Sequence, residues 1–263
     1  MLPAPGPSFR HEIRFTVRAS EAGPFGVVRL ASFLDYFQEA AGEHAGLLGV
    51  SVHELIKQGL TWVLSRYHLQ FSRYPVWGET VLLRTWPSTR RHLFALREFE
   101  ALDEGGAIIG RATSSWMVID LATKKPVRLD ERLGDFPQDP VRALPDEFPP
   151  LPVPGRTDFE RTFFVRRGDL DWNRHANHVV YIEWAVEAVP PDIATAYRPA
   201  EIEADYRGEA RYGDIILSRV QAGLSGAERP TFIHQILREK DGAELARLRT
   251  VWTKPAPVAG TRT

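Results

Sequence analysis

The 263-residue chain contains no cysteine. That absence removes disulfides, thiolate metal sites and a cysteine nucleophile together. It fits a reducing compartment, and the cytoplasm is the expected location. Neither sign of charge is in excess: 33 Lys and Arg stand against 34 Asp and Glu. A dedicated nucleic-acid binder carries a basic surplus, so no nucleic acid is expected as a partner. No apolar run reaches the roughly 20 residues a helix needs to cross a bilayer, so no membrane span is expected. Residues 1–7 lack the basic and apolar regions of a signal peptide. The first ten residues and the tail from Pro255 read as loose ends. Neither a His-Glu-x-x-His nor a cysteine cluster is present, so no metal is expected. Gly42, Gly46 and Gly49 follow a helix and lack the strand-to-helix context of a phosphate loop. No cofactor is expected.

Proline, by contrast, is concentrated. Seven prolines fall between Pro137 and Pro154. Proline at that density forbids helix interiors and central strands, and the stretch reads as an extended linker. It divides the chain into 1–134, a linker at 135–158, and 159–263. The two halves repeat. Trp77-Gly78-Glu79-Thr80-Val81-Leu82-Leu83-Arg84 is matched by Tyr212-Gly213-Asp214-Ile215-Ile216-Leu217-Ser218-Arg219, offset by 135 positions. At nearly the same offset, the stretch from Arg111 to Trp116 is matched by that from Arg247 to Trp252.

Each half predicts a strand, a buried helix and four more strands. The opening strands span 11–18 and 159–167, with Ile13, Phe15 and Val17 alternating against polar neighbours. In the first helix Leu30, Phe33, Leu34, Phe37 and Ala41 recur at helical spacing. In the second, Val179, Ile182, Val186 and Val189 do so, until Pro190-Pro191 stops it. The later strands are expected at 61–71, 80–87, 94–101 and 110–119, then at 202–206, 214–222, 231–239 and 244–253. Asp103-Glu104-Gly105-Gly106 and Lys240-Asp241-Gly242 read as hairpin turns. The pattern predicts an α+β fold: two antiparallel sheets, each wrapping a central helix, joined into one long sheet.

The richest polar cluster is Asp169-Leu170-Asp171-Trp172-Asn173-Arg174-His175-Ala176-Asn177-His178. It lies between a strand and the start of a buried helix. Unpaired N–H groups and partial positive charge gather at such a helix start, where an oxyanion is stabilised. Asp, Asn and His also cap helices and turns, so spacing alone leaves both readings open. His44 and His68 have no acidic cluster beside them in sequence and read as structural.

The run from Asp169 to Trp184 resembles the D-x-D-x-N-x-H-x-N signature of acyl-ACP thioesterases, the plant FatA/FatB class and its bacterial relatives. Arg73-Tyr74-Pro75-Val76-Trp77-Gly78-Glu79 resembles that family's R-Y-P-x-W-G-[DE] turn. Leu60-Thr61-Trp62-Val63-Leu64-Ser65-Arg66, Gln38-Glu39-Ala40 and Ala45-Gly46-Leu47-Leu48-Gly49 resemble further family segments. The resemblance spans roughly Ile13 to Trp252. It implies a tandem hot-dog fold and hydrolysis of fatty acyl thioesters on acyl carrier protein. It places Asp171, Asn173 and His175 at the active-site positions. Asp205-Tyr206-Arg207-Gly208-Glu209-Ala210 resembles the plant E-Y-R-R-E-C, which makes Glu209 the functional acid. Ala210 stands where plant members carry a cysteine, so an acyl-cysteine route is closed and water attack remains. Glu209 or Asp171 is then the base or water-positioner.

The first half lacks the Asp, Asn and His set before its helix, and its expected role is to shape the acyl pocket. Phe33, Leu34, Phe37 and Trp62 are the residues expected to line it, and plain core packing is the competing reading. Arg90-Arg91-His92 and Arg166-Arg167 are candidate docking charges for the acidic carrier. A homodimer is compatible with such symmetric surfaces. The rival readings are an acyl-CoA thioesterase, a hot-dog dehydratase and a non-catalytic acyl-binding regulator.

Overall fold

The computed structural model of the chain describes residues 9–223 and 228–255, so most of the expected loose ends lie outside the described residues. The chain divides into two compact units. One comprises Met1–Leu69 with Tyr74–Pro149, the other Gln70–Arg73 with Pro150–Thr263.

The first unit holds β1 (His11–Thr16), α1 (Leu30–Leu47), α2 (Val52–Ile56), β2 (Leu60–Phe71), β3 (Thr80–Arg91), β4 (Phe94–Leu102), β5 (Ile108–Asp120) and α3 (Leu129–Arg132). Its strands run in the order β1-β3-β4-β5-β2, with β1–β3, β3–β4 and β4–β5 antiparallel. The apolar stripe of α1 lies on this sheet. Phe33, Leu34 and Phe37 are fully buried there, and Phe37 meets the Phe99 ring of β4 edge-on at 5.4 Å. Burial of side chains this size contributes about 1.5–3 kcal/mol each. The helix ends because Gly49 takes a positive φ of 72°, letting Val50 N–H reach back to the Ala45 carbonyl.

The second unit holds β6 (Phe159–Phe164), α4 (His178–Glu187), α5 (Pro191–Ala196), β7 (Arg198–Tyr206), β8 (Ile215–Ala222), β9 (Thr231–Arg238) and β10 (Glu244–Thr253). Its order is β6-β8-β9-β10-β7, the same topology as the first unit. α4 packs against β7, β8, β9 and β10. Val179, Ile182 and Ala185 are buried. Ala188 N–H closes on the Ala185 carbonyl, after which Pro190 caps α5 with Pro191 in its first turn. The diproline therefore ends one helix and starts another, since proline fits the first helical turn.

Three local features differ from the sequence expectation. β3 continues past Pro87 to Arg91 because its pairing with β4 shifts register between Pro87 and Thr89. A bulge is where a residue without an N–H is tolerated inside a sheet. The short α2 is set by a Ser51–Glu54 capping box, a signal present in the sequence. The proline-rich segment has no helix or strand, but its first part, 135–149, is fastened to the first unit. Arg10 Nε donates to Asp139 at 2.7 Å, and Trp86 Nε1 donates to the Val141 carbonyl at 2.8 Å. Fully buried Glu98 accepts from Ser88, Thr113, Arg142 Nε and the Ala143 N–H at 2.7–3.0 Å.

Candidate active site

The loop between β6 and α4 is shaped by its backbone. Asp169, buried, draws Arg166 N–H to its carboxylate at 2.7 Å, and its carbonyl accepts Asn177 N–H at 2.8 Å. Inside that frame, Asp171 N–H bonds the His175 carbonyl at 2.8 Å, and Arg174 N–H bonds the Asp171 carbonyl at 3.0 Å. Leu170 and Ala176 form an isolated bridge, and Arg174 takes a left-handed φ of 62° at the turn. The Asp171 carboxylate accepts the N–H of Asn173 at 2.8 Å and of His175 at 3.4 Å. Asp171 therefore stiffens the turn that carries the other two residues. Asn177 caps α4, its side-chain oxygen taking Val179 N–H at 2.9 Å.

Glu209 arrives from the segment after β7. Ala176 N–H bonds the Ala210 carbonyl at 2.9 Å, which docks that segment against the loop. The result brings His175 Nε2 to 3.1 Å from Glu209 Oε2. Both are part-exposed, with side chains 22% and 46% accessible, so a solvent molecule reaches the pair. Arg211 stands 3.7 Å from the same oxygen. The Asn173 side-chain amide makes no hydrogen bond among the described residues and is available to a carbonyl oxygen. Trp172 projects almost fully exposed beside it. His178, at the start of α4, is pushed down to about pKa 4 by burial and stays neutral at physiological pH.

All four predicted active-site residues thus fall on one loop and the segment docked against it. Glu209 and His175 make direct contact, and Asp171 reaches its partners through backbone N–H groups. Phe33, Leu34, Phe37 and Trp62 lie in the first unit. The first three are closed core, and Trp62 donates its Nε1–H to the Val50 carbonyl at 2.8 Å. Of the candidate docking charges, Arg166 is engaged by Asp169, Arg90 by Asp135, and Arg167 stacks over the Tyr212 ring at 4.5 Å. His68 does have an acid beside it: Asp146 lies 2.8 Å from its Nδ1. The two are far apart in sequence, which is why no local pattern announced the pair.

The first unit repeats this loop without its chemistry. Gly23 N–H bonds the Val27 carbonyl at 2.8 Å, and Gly26 N–H bonds the Gly23 carbonyl at 3.0 Å. Ala22 bridges Val28, Val28 N–H bonds the Pro75 carbonyl, and Gly26 has a φ of 71°. By these bonds Gly23, Phe25 and Val27 occupy the positions of Asp171, Asn173 and His175. Tyr74 occupies that of Glu209. At these four positions the duplicated loop offers neither carboxylate nor imidazole, and its one acid, Glu21, stands where Asp169 does.

Two units with the same strand order, each packed on one helix, define a tandem hot-dog protein. Residues 8–135 match the acyl-ACP thioesterase N-terminal domain and residues 154–254 the C-terminal domain. The chain belongs to the acyl-ACP thioesterase family. It is 29% identical over 273 residues to oleoyl-acyl carrier protein thioesterase 1, chloroplastic, of Arabidopsis thaliana, covering 92% of this chain and 75% of that protein. It is 26% identical to dodecanoyl-[acyl-carrier-protein] hydrolase, chloroplastic, of Cinnamomum camphora, over 90% of this chain and 66% of that protein. Among solved structures, the 12:0-ACP thioesterase from Umbellularia californica superposes with a TM-score of 0.81 at 26% identity, covering 94% of this chain and 95% of that one. A putative oleoyl thioesterase from Lactobacillus plantarum gives 0.84 at 22% identity, covering 94% and 97%, and shares the fold.

Proposed function

We propose that the Glu209–His175 pair drives this enzyme's reaction by activating water. The reaction is hydrolysis of fatty acyl-ACP thioesters to free fatty acid and the carrier thiol. The observation that carries the proposal is the 3.1 Å contact between His175 Nε2 and Glu209 Oε2, in a chain without any cysteine.

The thioester carbonyl sits against the loop, with the Asn173 amide donating to its oxygen. Glu209 takes a proton from water as the water oxygen bonds to the carbonyl carbon. The tetrahedral oxyanion collapses, the carbon–sulfur bond breaks, and the sulfur leaves with the proton held by Glu209. His175 holds the carboxylate in line through its hydrogen bond. Asp171 keeps the turn rigid. The acidic carrier is assigned to the arginine-rich rim around the loop.

Free-thiol release from acyl-ACPs of graded length, beside the matching acyl-CoAs, tests the reading. ACP-selective release that falls about 100-fold or more in Glu209→Gln is expected. Preference for CoA would reassign the carrier. Binding without release would make the protein a regulator.

A further inference from the structure

The Glu209 carboxylate is exposed, yet its backbone is held on both sides by one buried hydroxyl. Tyr181 lies on α4 with its ring buried. Its OH donates to the Gly208 carbonyl at 3.1 Å and accepts the Ala210 N–H at 2.7 Å. Those two groups are the neighbours of Glu209 in the chain. A third contact, Arg238 Nη1 to the Glu209 carbonyl at 3.2 Å, holds the residue itself. Ala210 is fully buried, so water does not replace the hydroxyl.

The first unit supplies an internal comparison. Phe33 holds the helix position of Tyr181, and its ring meets Tyr74 edge-on at 6.1 Å. Pro75 stands at the position of Ala210 and has no N–H to offer. Where the carboxylate is absent, the hydroxyl and the amide that would bind it are absent as well, while the buried aromatic ring is kept. Packing therefore accounts for the ring and leaves the hydroxyl of Tyr181 unexplained.

We propose that Tyr181 is a positioning residue for the thioesterase reaction, its hydroxyl fixing the backbone on either side of Glu209 so that the carboxylate meets His175. The inference rests on the proposed role of Glu209. Carboxylate placement matters steeply in a reaction of this kind, because a shift of about 1 Å in a reacting group costs up to 100-fold in rate.

The test is a cycle of Tyr181→Phe, Glu209→Gln and the double variant, assayed on acyl-ACP for kcat, KM and melting temperature. Tyr181→Phe is expected to lower kcat by about 10- to 100-fold, with KM within about twofold of wild type. In the Glu209→Gln background, Tyr181→Phe is expected to change the residual rate by less than twofold, because its effect passes through the carboxylate. A merely structural tyrosine would cut the rate by the same factor in both backgrounds, and that result overturns the inference. So does wild-type kcat in Tyr181→Phe. If Glu209→Gln alone turns over at the wild-type rate, the assignment of Glu209 falls, and the inference falls with it. A low rate in Glu209→Gln with a normal rate in Tyr181→Phe removes the inference only.

Discussion

Arg142 donates its Nε–H to fully buried Glu98 at 2.8 Å, and that bond ties a segment without secondary structure into the interior of the first unit. The carboxylate accepts four hydrogen bonds in all, from Ser88, Thr113, Arg142 and Ala143. Glu98→Ala leaves the guanidinium without its counter-charge in a desolvated place. Loss of one partner of such a pair costs about 3–5 kcal/mol. Urea unfolding should show a midpoint shift of that size, with the proline-rich segment newly open to proteolysis. Replacing both partners, as Glu98→Leu with Arg142→Met, should cost less than the single change.

Asp171 acts on the loop through an oxygen that accepts backbone N–H groups. Asparagine keeps such an oxygen and alanine does not. Asp171→Asn should therefore retain activity within about tenfold, while Asp171→Ala falls by about 100-fold or more. Steady-state kinetics on one acyl-ACP decide the matter. Equal losses in both variants would make Asp171 the base.

Stability should fall with acid in a window set by two imidazoles, His234 buried and His178 half-buried. His234 Nε2 lies 2.8 Å from the Thr250 hydroxyl oxygen, which also accepts from Trp252 at 2.9 Å. Burial pushes His234 down to about 3 and His178 down to about 4, from an ordinary 6.5. Both are neutral in the folded state, and the unfolded chain binds their protons first. The stabilisation is complete above pH 6.5 and is lost as pH falls towards the folded values. Each imidazole contributes a slope of about 1.4 kcal/mol per pH unit inside that window. Unfolding measured between pH 6 and pH 5 should show it. His234→Phe, which copies Phe99 of the other unit, should remove about half of the slope.

Arg174 and Gly26 share one left-handed turn position. A branched side chain there is strained, so Gly26→Val should destabilise by about 1–2 kcal/mol. Arg174→Gly relieves the same strain at an entropic cost of similar size, and its melting temperature should stay near wild type. Thermal unfolding of both variants checks the pair.

Much of this was legible in the chain. Alternation in Ile13, Phe15 and Val17, helical spacing in Phe33, Leu34 and Phe37, and the repeat at Trp77 and Tyr212 are local patterns, and they led to strands, helix and duplication. The cluster from Asp171 to His175 was legible because one loop carries it. What stayed hidden was long-range or backbone-borne. His68 with Asp146 and Glu98 with Arg142 pair across distances in sequence that no periodicity records. Tyr181 carries no such local signal, since its partners are a carbonyl and an N–H, which have no letter of their own. Pro87 read as a strand end because a bulge is a property of two paired strands, and one strand alone does not show it.

The loop at Gly23–Val27 keeps the hydrogen-bond skeleton of Asp171–His175 without its carboxylate, amide and imidazole side chains. One backbone frame is thus carried by two different sets of side chains. Gly23→Asp, Phe25→Asn, Val27→His and Tyr74→Glu would write a second set of reactive groups onto a frame already folded to receive them.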